Sequence, residues 1–254
     1  ETYYKTPTDI EEAMAGVYNA IYTSNVHSNE SMAASLMSDM MLGGGGADDK
    51  TAKWVDNFED PAEDTYRDMW TQCYNGIART NAIIEKTAEA DFSTFFATPE
   101  LAIEFKNQAI GEALFMRAFC HFGLYQFYSN TSDGTALALA YMETPDLLPQ
   151  ARITVAPYMA KLNADLVAAK ALVPATNTDI ARASRQAVTA LQARVALYMK
   201  DYANAATFAT EYITALPLAS KTNRMRRSLT AARQSPKSST QPFSKSSRIR
   251  SALK

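Results

Sequence analysis

The residues best placed to do chemistry surround a run of four glycines at 43–46. Asp39, Asp48, Asp49 and Asp56 flank the run, and Trp54 stands among them. An indole face can stack on a sugar ring while carboxylates accept hydrogen bonds from its hydroxyls, and binding sites typically combine such apolar and polar groups. These five residues are the candidate ligand-binding set. The same composition also fits a solvated acidic loop with Trp54 packed against the domain. A calcium loop fits worse, because the D-x-[DN]-x-[DN]-G spacing is absent.

Nothing in the chain marks a catalytic centre. His121 lies in an aromatic run with Phe119 and Phe122 and reads as a hydrogen-bonded core histidine. His27 lies in a loop without a nucleophile motif nearby. No G-x-S-x-G, P-loop or G-x-G-x-x-G pattern occurs. Two carboxylates could meet for glycoside hydrolysis, but no pair is singled out. The two cysteines, Cys73 and Cys120, fall inside helical patterns and read as buried thiols behaving as small apolar side chains. Whether they meet the roughly 7 Å Cα spacing of a disulfide is not fixed by sequence. No zinc spacing is present. The expectation is a binding protein without catalytic residues, metal or cofactor.

The bulk composition sets the frame. The 254 residues are 47% hydrophobic, enough for one substantial core, or one domain plus an appendage. No apolar run approaches the roughly 18 residues of a membrane span. The net charge of −2 hides a split: all 27 acidic residues lie within 1–219, whereas 220–254 carries ten basic residues and no acid. That last stretch is rich in Ser, Arg and Lys and too poor in large apolar residues to offset its ordering entropy. It reads either as a basic arm for polyanions or as a segment foreign to the fold, such as an out-of-frame readthrough. The expected domains are a helical body over 1–219 and a disordered or non-native tail over 220–254.

The body reads as a series of helices. Thr8, Asp9, Ile10 and Glu11 have a capping-box pattern, and Ile10, Met14, Val17 and Ile21 then follow at helical spacing. A short helix is expected over 31–41, ended by the glycines. The next helix starts near Asp60 and Pro61, with Tyr66, Trp70, Cys73, Tyr74, Ile77, Asn81 and Ile84 on one face, and Trp70, Tyr74 and Ile77 are expected in the core. Thr98 and Pro99 make a clean start for a helix reaching Tyr128. Residues 137–150 have no period and read as an extended crossover. A helix carrying Tyr158, Leu162, Leu166, Ala169 and Leu172 follows and closes before Pro174. Inside the long helix, Glu112 and Arg117 are five residues apart and do not face each other well, so each is expected to pair elsewhere. The fold class is all-α.

Residues 182–217 read as two short helices folded against each other. Tyr202, Ala205 and Pro217 sit at the spacing of the second half of a tetratricopeptide (TPR) hairpin, and Ala193 falls where the first helix wants a small residue. Gln192 and Ala209 replace the larger apolar residues usual there. Three segments then align with one family: WTQCYNGIARTN at 70–81, GEALFMRA at 111–118, and ASRQA at 183–187 running on to ARVALY at 193–198 and to Asp201 and Tyr202. Tyr3, Tyr4, Lys5 and Thr6, before a helix ending Val17, Tyr18, Asn19 and Ala20, also fit. Together these resemble the N-terminal half of the SusD/RagB family, nutrient-binding lipoproteins of the Bacteroidetes outer membrane.

The resemblance implies an α-α superhelical scaffold of TPR-like hairpins, carrying no catalysis. It implies a lipid-anchored protein on the extracellular face of the outer membrane, its anchoring cysteine upstream of Glu1. It implies capture of oligosaccharides, or in some members peptides, for delivery to a TonB-dependent transporter of the SusC type. Family members are usually about twice as long, and the family's Phe-Gly-x-x-Pro stretch is replaced here by the residues from Phe127 to Gly134. The other reading of the hairpins is a TPR-like module that grips a peptide without binding glycan.

Overall fold

The computed structural model describes residues 3–23, 64–130, 133–145, 150–175, 179 and 181–215. Six α-helices occur among them: α1 Pro7–Thr23, α2 Asp64–Glu89, α3 Pro99–Tyr128, α4 Val155–Leu172, α5 Arg185–Tyr198 and α6 Tyr202–Ala215. A single 3-10 turn, Ser93–Phe95, links α2 to α3. The chain divides into two compact units, Glu1–Tyr212 and Ile213–Lys254. The second is described only at residues 213–215, the last helical turn. The expected helix at 31–41, the glycine run and the basic stretch at 220–254 lie outside the described residues.

Helix α1 starts two residues earlier than the capping-box reading places it. Pro7 takes the first helical position, where its missing N–H costs nothing. The box is therefore Thr6 with Asp9, not Thr8 with Glu11. The Asp9 backbone N–H donates to Thr6 Oγ1 at 3.2 Å, and the Thr6 N–H donates to Asp9 Oδ2 at 2.9 Å. The Thr6 N–H bond first, with the Lys5 N–H donating to the same Oδ2 at 2.9 Å, holds the Asp9 carboxyl below its usual range.

The long helix α3 is the central element and packs against α1, α2, α4 and α5. Thr98 caps it as expected, its Oγ1 accepting from the Leu101 N–H at 3.4 Å, with Pro99 in the first turn. Its buried set includes Ala109, Ala113, Ala118, Phe122, Leu124 and Tyr125. Small residues let neighbours approach closely. A Cβ placed on Gly111 would lie 2.7 Å from Leu172 Cβ and 3.0 Å from the Val173 N. Only glycine allows the end of α4 to sit on α3 at this point.

The core line of α2 runs Met69, Cys73, Ile77, Thr80, Ile83 and Thr87, each buried. This line is offset from the stripe expected around Trp70, with one consequence. Ile77 is core, but Trp70 is 38% exposed and Tyr74 is half-buried, correcting the expectation for both. Their positions flank the core line at the helix edge. There Trp70 leans on Tyr74 and packs edge-on against Tyr128, each with centroids 5.0 Å apart. Both cysteines are buried and not joined in a disulfide, and a Cβ on Gly76 would meet Cys120 Sγ at 3.3 Å.

The crossover after α3 is extended, as its aperiodic sequence predicts. Leu137 and Thr154 form an isolated antiparallel bridge. The Ala138 N–H donates to the Ile153 carbonyl at 2.8 Å, and the Ile153 N–H to the Leu139 carbonyl at 3.2 Å. Helix α4 buries Tyr158, Leu162, Leu166 and Ala169 and ends at Leu172, which is half-buried, before Pro174.

Helices α5 and α6 form at the predicted places, joined by a tight turn. Ser184 Oγ accepts from the Ala187 N–H at α5's start. Lys200 has φ 59°, the left-handed value that ends a helix. The Asp201 N–H then reaches the Ala196 carbonyl at 2.9 Å and the Lys200 N–H the Leu197 carbonyl at 3.0 Å, the paired bonds of a Schellman turn. Asp201 Oδ1 in turn accepts from the Asn204 N–H at 3.2 Å and caps α6. Helix α6 buries none of its side chains, and Tyr202 is 65% exposed. Gln192, at a position usually apolar, is buried, and its Oε1 has no hydrogen-bond partner among the described residues.

Candidate functional site

The five residues proposed from sequence, Trp54, Asp39, Asp48, Asp49 and Asp56, lie outside the described residues, as does His27. The described residues instead assemble two polar arrangements that the sequence motifs hinted at only singly.

The first borders an open groove of about 620 Å³ between α1 and the segment entering α5, lined by Glu11, Met14, Ala15, Tyr18, Asn19, Asp179, Ala181 and Arg182. Its wall is fixed from behind by Glu112 of α3, whose side chain is 1% exposed. Glu112 accepts from Arg182 Nη2 at 2.5 Å and Nε at 3.1 Å, a bidentate pair. Tyr18 donates its hydroxyl to Glu112 Oε1 at 2.5 Å and accepts the Ala183 N–H at 3.0 Å. Arg182 Nη1 also reaches Glu11 Oε2 at 2.5 Å. Burial alone would lower the Arg182 pKa, but hydrogen bonds and charge from Glu112 and then Glu11 raise it above the ordinary guanidinium value. Burial, then the Glu112 charge, push the Tyr18 hydroxyl well above its usual pKa. The groove therefore has a fixed cation held between carboxylates and a neutral phenol.

The second arrangement is buried. Arg117 forms a bidentate pair with Asp165 of α4, Nη2 to Oδ1 at 2.6 Å and Nε to Oδ2 at 2.7 Å. Tyr141 donates to Asp165 Oδ2 at 2.6 Å, and Arg117 Nη1 donates to Asn81 Oδ1 at 2.9 Å. Asn81 Nδ2 spans the Met142 and Thr144 carbonyls of the crossover at 3.2 and 3.0 Å. Asn81 thus bonds the backbone of the crossover, and Glu112 and Arg117 pair with other elements as expected. Beside this cluster His121 is fully buried and stacked on Tyr141, ring centroids 3.9 Å apart. Tyr158 donates its hydroxyl to the His121 carbonyl at 2.8 Å, so Nδ1–H donates to Tyr158 Oη at 3.0 Å. Nε2 then accepts the Met142 N–H at 3.2 Å. Burial first, then the nearby Arg117 charge, push the imidazole pKa down to about 3. The histidine is a neutral structural link between α3, α4 and the crossover.

Sequence reasoning did not place Arg182, Tyr18 or Glu11 at a site. Both Glu112 and the turn before ASRQA were visible as segments, but the 70 residues separating Glu112 from Arg182 conceal their pairing. Arg194 stacks over the Phe122 ring at 5.5 Å, and Arg185 Nη2 donates to the Val173 carbonyl at 3.5 Å. Among the described residues no group of three or more His, Cys, Asp or Glu is arranged to hold a metal ion. No described helix is long and apolar enough to cross a membrane.

An all-α scaffold of paired helices with a TPR-like terminal hairpin defines the class. Within that class, the chain belongs to the SusD-like family described as starch-binding and associating with the outer membrane, whose model matches residues 1–197. Among solved structures, a putative sugar-binding protein from Bacteroides vulgatus superposes with a TM-score of 0.69 at 22% identity, covering 85% of this chain and 47% of the other. A SusD superfamily protein from Bacteroides thetaiotaomicron gives 0.66 at 21%, covering 82% and 46%. A laminarin-binding SusD-like protein gives 0.67 at 20%, covering 82% and 44%. At these identities the superpositions establish the fold. The chain spans about half the length of the solved structures it matches. A search of curated proteins finds no match.

Proposed function

We propose that this chain is the helical scaffold of a surface glycan-binding protein that captures oligosaccharide for uptake. The observation that carries the reading is the family match over residues 1–197, with its description as starch-binding and associating with the outer membrane. Two structural neighbours, a putative sugar-binding protein and a laminarin-binding SusD-like protein, support it. In this reading the protein is lipid-anchored on the extracellular face of the outer membrane and delivers glycan to a SusC-type TonB-dependent transporter. It performs no chemistry on its ligand. Trp54 supplies a stacking face, and Asp39, Asp48, Asp49 and Asp56 accept hydroxyl hydrogen bonds.

Affinity electrophoresis in gels containing neutral polysaccharide tests the reading. Retardation by at least one glycan is expected, weakened by Trp54→Ala without a large change in melting temperature. A collapse in melting temperature would instead make Trp54 a core residue. The peptide-module reading draws support from the exposed apolar side chains Leu197, Tyr198 and Tyr202. Peptide capture without polysaccharide retardation would favour it.

A further inference from the structure

We infer that the groove between α1 and the segment entering α5 is a subsite for a neutral, hydroxyl-rich glycan. The inference rests on the glycan-binding reading and adds a location and a charge preference to it. At about 620 Å³ the groove is within the range of small-molecule sites.

Its polar wall is built before any ligand arrives. Glu112 is sequestered and spends its oxygens on Arg182, Tyr18 and the Ala183 N–H, the last at 3.3 Å. Arg182 is thereby pinned by three hydrogen bonds, to Glu112 twice and Glu11 once. A guanidinium has five N–H donors, so two remain to donate to a ligand. Glu11 bonds Arg182 through Oε2 and its side chain is 43% exposed, leaving Oε1 as an acceptor. A donor and an acceptor locked side by side match a sugar's vicinal hydroxyls, each of which both gives and takes a hydrogen bond. Fixing these long side chains in advance removes ordering entropy otherwise lost on binding. Ala15, exposed on α1, contributes apolar surface against which the C–H face of a ring can rest.

Charge narrows the ligand class. Glu11 and Asp179 line the groove with two negative charges against one positive on Arg182, and the buried Glu112 carboxylate lies behind it. Uronate, sulfate or phosphate groups would meet a net negative wall, so charged polysaccharides are disfavoured.

The test uses the full chain in gels containing a neutral glucan, such as soluble starch or laminarin, or an anionic polygalacturonate. Ala15 is an exposed helical position, so Ala15→Trp fills the groove without entering the core. It should lose about tenfold or more in affinity for a retarding neutral glucan, equivalent to about 1.4 kcal/mol. Asn19→Ala, which removes an exposed lining amide, should lose about threefold to tenfold, the worth of a single hydrogen bond. Melting temperatures confirm that the variants are folded. Wild-type affinity in both variants overturns the groove while leaving the glycan-binding reading intact. Tighter binding of polygalacturonate than of any neutral glucan also overturns it. No retardation of the wild-type chain by any glycan overturns both.

Discussion

The buried Arg117–Asp165 pair joins α3 to α4 and, through Tyr141 and Asn81, ties both to the crossover. Its two side chains are only 7% and 8% exposed. Asp165→Ala removes the acceptor for Arg117 Nη2 and Nε and for the Tyr141 hydroxyl, at 2.6, 2.7 and 2.6 Å. Arg117 would keep Asn81 Oδ1 and the Glu143 carbonyl, neither of which carries a full charge. Burial lowers the Arg117 pKa, and the Asp165 hydrogen bonds and charge raise it, but a guanidinium is not deprotonated in proteins, so the residue stays cationic after its partner is lost. Leaving one charge buried and unpaired costs about 3–5 kcal/mol. With a urea m-value of about 2 kcal/mol/M, that shifts the unfolding midpoint down by about 2 M. Replacing both residues by apolar ones of similar volume, Arg117→Met with Asp165→Leu, should be far milder, because desolvation of both ions is relieved together. The assay is urea denaturation followed by circular dichroism on wild type, both single variants and the double variant. A loss below about 1 kcal/mol for Asp165→Ala, or a double variant as unstable as the sum of the singles, would refute the reasoning.

Two further outcomes follow from the geometry. His121 is neutral in the fold, with its pKa lowered from 6.5 to about 3, so acid favours the unfolded chain, which takes up the proton first. Its contribution to stability is fully present above pH 6.5 and is lost as pH falls toward 3. Between pH 6 and pH 4 the wild type should lose about 2–3 kcal/mol more than His121→Gln, read as the difference between their pH–stability curves. Parallel curves would mean the imidazole is not the group responsible. Gly111→Ala forces a methyl group to within 2.7 Å of Leu172 Cβ. It should destabilise the chain by about 1–2 kcal/mol, despite the better helix propensity of alanine, as measured by thermal or urea unfolding.

Much of the fold was legible because helices announce themselves locally. Thr98 and Pro99 fix the start of α3 through capping chemistry, and the spacing of Tyr158, Leu162, Leu166 and Ala169 fixes the buried face of α4. Errors arose where two local rules competed. Both Thr6 and Thr8 precede a possible helix, and the choice between them turned on Pro7. Trp70 shares a face with Cys73 and Ile77 at helical spacing, yet the centre of the buried stripe is set by where α1 and α3 lie, which periodicity does not encode. The polar pairs were half-visible. Glu112 and Arg117 stood out as charges in an apolar helix, but their partners, Arg182 and Asp165, are 70 and 48 residues away. The candidate ligand residues lie outside the described residues and were read from composition around a glycine run, which has no repeating local pattern.

The central claim is that this helical scaffold belongs to a glycan-capturing protein. The most direct measurement is the mobility of the full chain in native gels containing a panel of neutral polysaccharides, with a non-binding protein as reference. The account predicts retardation by at least one glycan, reduced by Trp54→Ala and by Ala15→Trp in folded protein. Reference-like mobility of the folded wild-type chain on every glycan would contradict it.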